Sequence, residues 1–364
     1  VIDDIAAILR PELAELRAYA PGEHAGIATR LDANEAPPPS SPAVRDAILR
    51  ALSSVAFERY PDARASLLKQ RISERTGAKP ADLLVGSGSD ELISFLVTAL
   101  ARPRDKKTPQ VVVLTPAPTF VMYRVTARAH GLKPVEVPLD AAWDLDVGAM
   151  KKAFELMRPN LVFIASPNNP TGNRMSDDRL AEICGAARDA LVVIDEAYVD
   201  YAGPSLRIWR ERYPNLGVLR TLSKVGLAAL RVGWLEADEG LVREVDKVRQ
   251  PFNVSATSQT AAAAVLAEAW DAVLAHVAHV VRERERLAAE IGGIAGYSVT
   301  PSAANFVWVK TPHAAEATYR ALVGHGILVR SFHAAGGRLA HQLRVTVGSR
   351  TENDRLLEGL RGCA

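Results

Sequence analysis

Five side chains of complementary chemistry fall in order along the middle of the chain. Asn169 lies in Pro167-Asn-Asn-Pro-Thr-Gly172, Asp195 and Tyr198 bound the segment Asp195-Glu-Ala-Tyr198, Lys224 closes Thr221-Leu-Ser-Lys224, and Arg231 follows seven residues later. They supply an amide, a carboxylate, a phenol, an amine and a guanidinium. That set suits a pyridoxal phosphate pocket. Such a cofactor needs an amine that forms a Schiff base with its aldehyde and then moves protons, for which Lys224 is the candidate. It needs a buried acid to keep its pyridine nitrogen protonated, and Asp195 ends the apolar run Leu191-Val-Val-Ile194. Tyr198 and Asn169 can hydrogen-bond its phenolic oxygen. Thr221 and Ser223 can donate to a phosphate that Arg231 neutralises.

A second anion site is suggested by Gly86-Ser-Gly-Ser-Asp-Glu91, a glycine-rich turn entering the amphipathic stretch from Leu92 to Leu100. Backbone N–H groups at a helix start suit a phosphate, with Ser89 and Asp90 as its neighbours. A dinucleotide fingerprint is disfavoured because Glu91 stands where its third glycine would be. The plain alternative is a helix capped by Ser89. In Pro116-Ala-Pro-Thr-Phe120, Phe120 is either an ordinary core ring or a face for stacking on a pyridine. His276 and His279 stand one turn apart with no ligand set around them, so no metal site is expected, and no G-x-S-x-G elbow exists.

The elements that must position these groups are legible as a pattern. Short β-branched runs alternate with helical stretches between about residues 80 and 250: 111–114, 135–137, 161–165, 191–194, 218–221 and 232–235. This is the pattern of a mainly parallel sheet covered on both faces, whose ligands gather beyond the carboxyl ends of the strands. Asn169, Asp195 and Lys224 all fall at or just after such ends. The Ala-rich segment 256–291 predicts one or two long helices, with Arg282-Glu-Arg-Glu-Arg286 as a solvated face. Runs at 305–309, 326–330 and 343–347 predict strands of a smaller α+β lobe closed by a helix over 352–360. The expected organisation is an N-terminal arm with part of the small domain (1–45), a large domain (46–255), and a linking helix with the C-terminal small domain (256–364).

Composition excludes several classes. The 364 residues are 48% apolar and 24% charged, as in a globular protein, and 44 basic against 42 acidic side chains leave +2. That balance gives no case for nucleic acid or an anionic membrane surface. Two distant cysteines give no disulfide framework, so the cytoplasm is the expected compartment, and no apolar run approaching the roughly 20 residues of a membrane span is expected.

As an ordered set, these motifs resemble those of the histidinol-phosphate aminotransferases, within the fold-type I pyridoxal phosphate enzymes. The resemblance runs nearly end to end: Tyr19, Leu31-Asp-Ala-Asn-Glu35, Arg59-Tyr-Pro-Asp62, the Gly86 segment, Pro118-Thr-Phe-Val-Met-Tyr123, the Asn169, Asp195 and Lys224 motifs, Arg330 and Arg344. It implies a large domain with a mainly parallel seven-stranded sheet between helices and a smaller α+β domain. It implies that Lys224 is the Schiff-base lysine, that Asp195 pairs with the pyridine nitrogen, and that Ser89, Asp90, Ser223 and Arg231 surround the phosphate. Tyr60 would reach the cofactor phosphate of a neighbouring subunit, making a homodimer. Tyr19, Asn169, Arg330 and Arg344 would bind substrate. The implied reaction moves an amino group between L-histidinol phosphate and 2-oxoglutarate in histidine biosynthesis. An aromatic amino acid aminotransferase and a threonine-phosphate decarboxylase share the scaffold, and a non-catalytic binding module is the rival of another class. Three departures stand out: the loop 225–230 is one residue shorter than the common form, Phe120 replaces a usual tyrosine, and Ala36 replaces a usual asparagine.

Overall fold

The computed structural model describes residues 8–16, 27–104 and 110–363. Among the described residues twelve strands form two sheets. In chain order they are β1 (Thr29–Leu31), β2 (Leu83–Ser87), β3 (Val112–Ala117), β4 (Lys133–Pro138), β5 (Leu161–Ala165), β6 (Leu191–Asp195), β7 (Leu216–Thr221), β8 (Val232–Glu236), β9 (Ser298–Thr300), β10 (Phe306–Lys310), β11 (Ile327–Ser331) and β12 (Gln342–Thr346).

The seven-stranded sheet has the order β2-β8-β7-β6-β5-β3-β4. Strands β4, β3, β5, β6 and β7 pair in parallel, and β8 runs antiparallel to both β7 and β2. The central strands are buried on both faces, which is why Leu161–Ala165 and Val192–Ile194 read as continuous apolar runs rather than as alternation. Asp195 pairs in register with Ala165 and Leu219, so β5 and β6 end at one level and β7 continues past it to Thr221. The turns after them carry Asn169, Tyr198 and Lys224. The five-stranded sheet has the order β1-β11-β12-β10-β9 and is antiparallel except where β1 joins β11. Thr29 pairs with Ile327, so the N-terminal segment completes a sheet built mostly from the C-terminal part of the chain.

The helical stretch 256–292 is continuous but carries a π-turn at Val265–Ala269 between helices Ala256–Ala264 and Trp270–Gly292. By length and composition alone it could cross a membrane, yet half of its most apolar window is packed inside the protein. The expected solvated face at 282–286 is corrected by the structure: Glu283 and Arg284 are buried. Arg284 donates to the carbonyls of Ala304 (3.0 Å) and Tyr201 (3.5 Å), tying the helix to both lobes. Glu283 accepts from Arg286 and Asn353. The charge run reads as surface only because these carbonyl and amide partners lie far away in sequence. A second inter-lobe contact sets the Arg338 guanidinium 3.3 Å from the Trp143 ring centre, with Trp143 edge-on to Trp308 of β10.

Candidate active site

At one end of the site the chain passes from β2 through Gly88 into the helix Ser89–Ala99. Gly88, not Ser89, is the N-cap, and no side chain caps the helix. Glu91 turns back instead, accepting from Ser87 N (2.7 Å) and Asn253 Nδ2 (2.6 Å). The N–H groups of the first turn, which have no partner within the helix, thus meet the site with the positive end of the helix dipole. Two glycines permit the approach. Gly88 has φ +80°, and a Cβ there would lie 2.6 Å from Arg231 Nη2; a Cβ on Gly233 of β8 would lie 2.8 Å from Ser89 N.

Arg231 reaches this end despite the shortened loop. The segment 223–230 is wound into a π-like turn, broken at Gly226 (φ +91°), and a 3-10 turn, after which Arg231 adopts φ +52°. Its guanidinium lies 3.5 Å from Ser223 Oγ and 3.9 Å from Asp90 Oδ2, half-exposed. Thr221 Oγ1 is 3.0 Å from both Ser223 Oγ and Val232 O, and Ser223 N donates to it at 3.1 Å. Two hydroxyls, a helix start and a guanidinium therefore converge as an anion cradle. Lys224 follows at once; its carbonyl accepts from Tyr201 Oη (2.6 Å) and its Nζ is 5.9 Å from the Tyr198 ring centre.

At the other end Asp195 is buried, accepting from Tyr123 Oη at 2.6 Å and from Ala197 N at 3.0 Å. Burial pushes its carboxyl above the ordinary range; Tyr123, Ala197 N and the charge of Lys224 pull it back. Among the described residues no cationic side chain lies within ion-pair distance of it. Tyr123 is itself fully buried, stacked on Phe163 with centroids 4.7 Å apart and edge-on to Phe120. Tyr198 accepts from Asn34 Nδ2 (2.9 Å) and sits edge-on to Phe306. Asn169 Oδ1 accepts from Arg344 Nη1 (2.6 Å), and Arg344 also donates to Asp32 O. The turn carrying Asn169 is held by Asn168, which bonds Thr119, Pro118 O and Thr171.

Of the sequence-derived residues, the structure thus brings together Ser89, Asp90, Thr221, Ser223, Lys224 and Arg231, with Asp195, Tyr198, Asn169, Phe120 and Arg344 facing the same strand ends. Arg330 pairs in register with Arg344 across β11 and β12 and opens on a surface cleft lined by Asp32, Tyr319 and His333. Tyr60 stacks on Phe252 (4.6 Å) and faces solvent. Tyr19 lies outside the described residues. Two candidates are added by geometry, Tyr123 and Asn34. Both stand inside motifs already noted, but their partners could not be read from spacing. Among the described residues no group of three or more His, Cys, Asp or Glu is arranged to hold a metal ion.

A sheet of this topology with a lysine, a buried acid and an anion cradle at its strand ends is the fold-type I architecture of pyridoxal phosphate transferases. Residues 27–360 match the family described as aminotransferase class I and II, and the chain belongs to that family. It is 39% identical over 358 residues to histidinol-phosphate aminotransferase 1 of Burkholderia lata, covering 97% of both chains. It is 38% identical to histidinol-phosphate aminotransferase of Aquifex aeolicus, covering 95% of each. The crystal structure of histidinol-phosphate aminotransferase from Sinorhizobium meliloti in complex with pyridoxal-5'-phosphate superposes with a TM-score of 0.85 at 27% identity, over 98% of this chain and 99% of that one.

Proposed function

We propose that this chain is a pyridoxal phosphate-dependent aminotransferase that moves the amino group of L-histidinol phosphate to 2-oxoglutarate, reversibly giving imidazole acetol phosphate and L-glutamate in histidine biosynthesis. The observation that carries the reading is full-length similarity, at 39% and 38% identity, to two proteins of that activity. The residues present suit the cofactor. A buried carboxylate without a cationic partner is costly, and a protonated pyridine would supply the missing charge. An uncapped helix start beside Arg231 would take a phosphate.

When bound, the cofactor supplies an aldehyde that exchanges with substrate amines and a pyridinium ring that draws electrons from the substrate Cα. Asp195 would hold the proton on the pyridine nitrogen, and the Tyr123 hydrogen bond lowers the Asp195 pKa against the burial that raises it. Lys224, freed by the incoming amine, would take the substrate Cα proton and deliver a proton to the cofactor's aldehyde carbon, working as general base and then general acid. Its backbone is fixed by Tyr201, so the four-carbon stem swings from a held anchor. Tyr198 and Asn169 would hold the ring oxygen. Arg344 presents a planar fork that can pair with a phosphate or a carboxylate, as two successive anionic substrates require, with Arg330 and Tyr19 as further substrate contacts. The exposed Tyr60 and Phe252 pair supports a homodimer in which Tyr60 reaches the partner's cofactor.

The test is the visible spectrum of cofactor-loaded protein during successive additions. Loss of the lysine-bound cofactor band with L-histidinol phosphate, and its return with 2-oxoglutarate, is the expected result. Bleaching only by aromatic amino acids, carbon dioxide release from threonine phosphate, or no response to any donor would each overturn it, in favour of an aromatic aminotransferase, a decarboxylase or a binding module.

A further inference from the structure

Asn34 is 2% exposed and adopts φ +55°, a left-handed conformation that asparagine tolerates better than most residues. It is held from three sides by the small lobe. Its backbone N–H donates to Thr346 Oγ1 (2.9 Å), its carbonyl accepts from Asn305 Nδ2 (2.9 Å), and its Oδ1 lies 3.3 Å from Thr346 Oγ1. These bonds fix which way the amide faces. The Thr346 hydroxyl accepts from the Asn34 backbone, so its single hydrogen goes to Oδ1 and Nδ2 is left pointing the other way. There it donates to Tyr198 Oη at 2.9 Å, across 164 positions of sequence.

A phenol has one hydrogen. Because Tyr198 accepts from Asn34, that hydrogen is free for another acceptor, and among the described residues none takes it. We propose that Asn34 is a positioning residue for Tyr198: by occupying a lone pair of the phenol it obliges Tyr198 to donate into the pocket, toward the cofactor's ring oxygen. The inference rests on the reading above that Tyr198 faces that oxygen. Its physical consequence is a stronger donor, because a hydroxyl that accepts one hydrogen bond is polarised toward giving another. Donation to the ring oxygen favours its ionised form. The small lobe, through Thr346 and Asn305, thus sets the protonation of a group bound to the large one.

The experiment is a spectrophotometric pH titration of the lysine-bound cofactor band in four holoenzymes: wild type, Asn34→Gly, Asn34→Asp and Tyr198→Phe, with the Asn34 changes repeated in the Tyr198→Phe background. Glycine suits the +55° backbone and removes only the amide. The midpoint is expected to rise by about half a pH unit in Asn34→Gly. It should rise further in Asn34→Asp, whose carboxylate would draw the phenol's hydrogen away from the pocket. A merely structural role gives the opposite order, since aspartate is nearly isosteric. The titratable groups that face Tyr198, Lys224, Tyr123 and Tyr201, are common to all variants, as are Asp195 beyond Tyr123 and Arg344 beyond Phe306. In the Tyr198→Phe background both shifts should vanish; an aspartate shift that persists there is a through-space charge effect and overturns the proposal. An unchanged midpoint in Tyr198→Phe alone overturns the reading of Tyr198. A shift in Tyr198→Phe with none in either Asn34 variant overturns the Asn34 inference only.

Discussion

The Tyr123 phenol donates to Asp195 Oδ2 at 2.6 Å while its ring lies flat on Phe163, with 4° between the planes. The donor is fully buried and its own pKa is pushed well up by burial and by the Asp195 charge, so the proton stays on the phenol and the negative charge on the acid. With Ala197 N on the other oxygen, the carboxylate is held in one orientation without being neutralised. This is a support for the acid that only an uncharged, rigid donor can give.

Replacing Tyr123 with Phe removes that donor and keeps the stacking. Burial then pushes the Asp195 carboxyl higher still, because one of the groups holding it down is gone. Cofactor binding by the stripped protein should therefore fail at a higher pH than in wild type, and kcat/KM should fall about tenfold at neutral pH. The measurement is the dissociation constant of the cofactor across pH. A curve superposing on that of wild type would remove Tyr123 from the site.

For Asp195→Asn the two states of the protein should respond in opposite directions. The folded-state pKa of Asp195 lies above its ordinary value, so between the two the folded chain keeps a proton that the unfolded chain has lost. Stability of the cofactor-free protein therefore falls as pH rises through that window and stays lowered above it. Asparagine removes the penalty. The cofactor-free variant should unfold at or above the wild-type temperature at pH 8, while loaded turnover drops by on the order of a hundredfold or more. Thermal unfolding at pH 5 and pH 8 separates this from a general packing defect, which would destabilise at both.

Why some of this was legible before the fold and some was not follows from where each partner lies. The strands β5 and β6 announce themselves because both faces of a parallel sheet are buried, so Leu161–Ala165 and Leu191–Ile194 are uninterrupted apolar runs. Strand β2 was missed, being a short run that ends in Gly86-Ser87 and so resembles the turn that follows it. Strand β1 has three residues and its partner is Ile327 onward, so nothing local marks it. The bond between Tyr123 and Asp195 spans 72 positions, and motif spacing carries no trace of it. The anion end was legible because its groups are close in sequence: Thr221, Ser223, Lys224 and Arg231 are one continuous segment folded on itself. The alternative of a helix capped by Ser89 does not hold. A serine at a helix start is an ordinary cap, but Gly88 takes that place, with a φ of +80° that side chains rarely adopt and the Arg231 guanidinium packed where its Cβ would lie.

That crowding makes Gly88→Ala a sharp test of the anion cradle. Gly88 has φ +80° and ψ 173°, a region essentially restricted to glycine, and a Cβ would meet Arg231 Nη2 at 2.6 Å. The guanidinium can swing aside, but it then leaves the position beside Ser223. The expected result is a cofactor dissociation constant raised about tenfold or more, with backbone strain of ~1–3 kcal/mol lowering the unfolding temperature. Gly324→Ala, at a site with open space around it, is the matched control. Equal cofactor affinities in the two variants would contradict the assignment of this end to phosphate.

Tyr60 and Phe252 stack at 4.6 Å, yet Tyr60 is 82% exposed and nearby Phe57 is 79% exposed. Rings left in water on a single copy are the kind of surface that a second copy would cover. If Tyr60 completes the partner's cofactor site, Tyr60→Ala should weaken cofactor binding while the protein still sediments as a dimer, since one phenol contributes little to a large interface. Phe57→Asp, which places a charge on that face, should lower the sedimentation coefficient at micromolar protein and lose cofactor together with it. Coupled loss of assembly and cofactor is the signature of a shared site. A wild-type protein that sediments as a monomer at full cofactor occupancy and full turnover would show that each chain is complete alone.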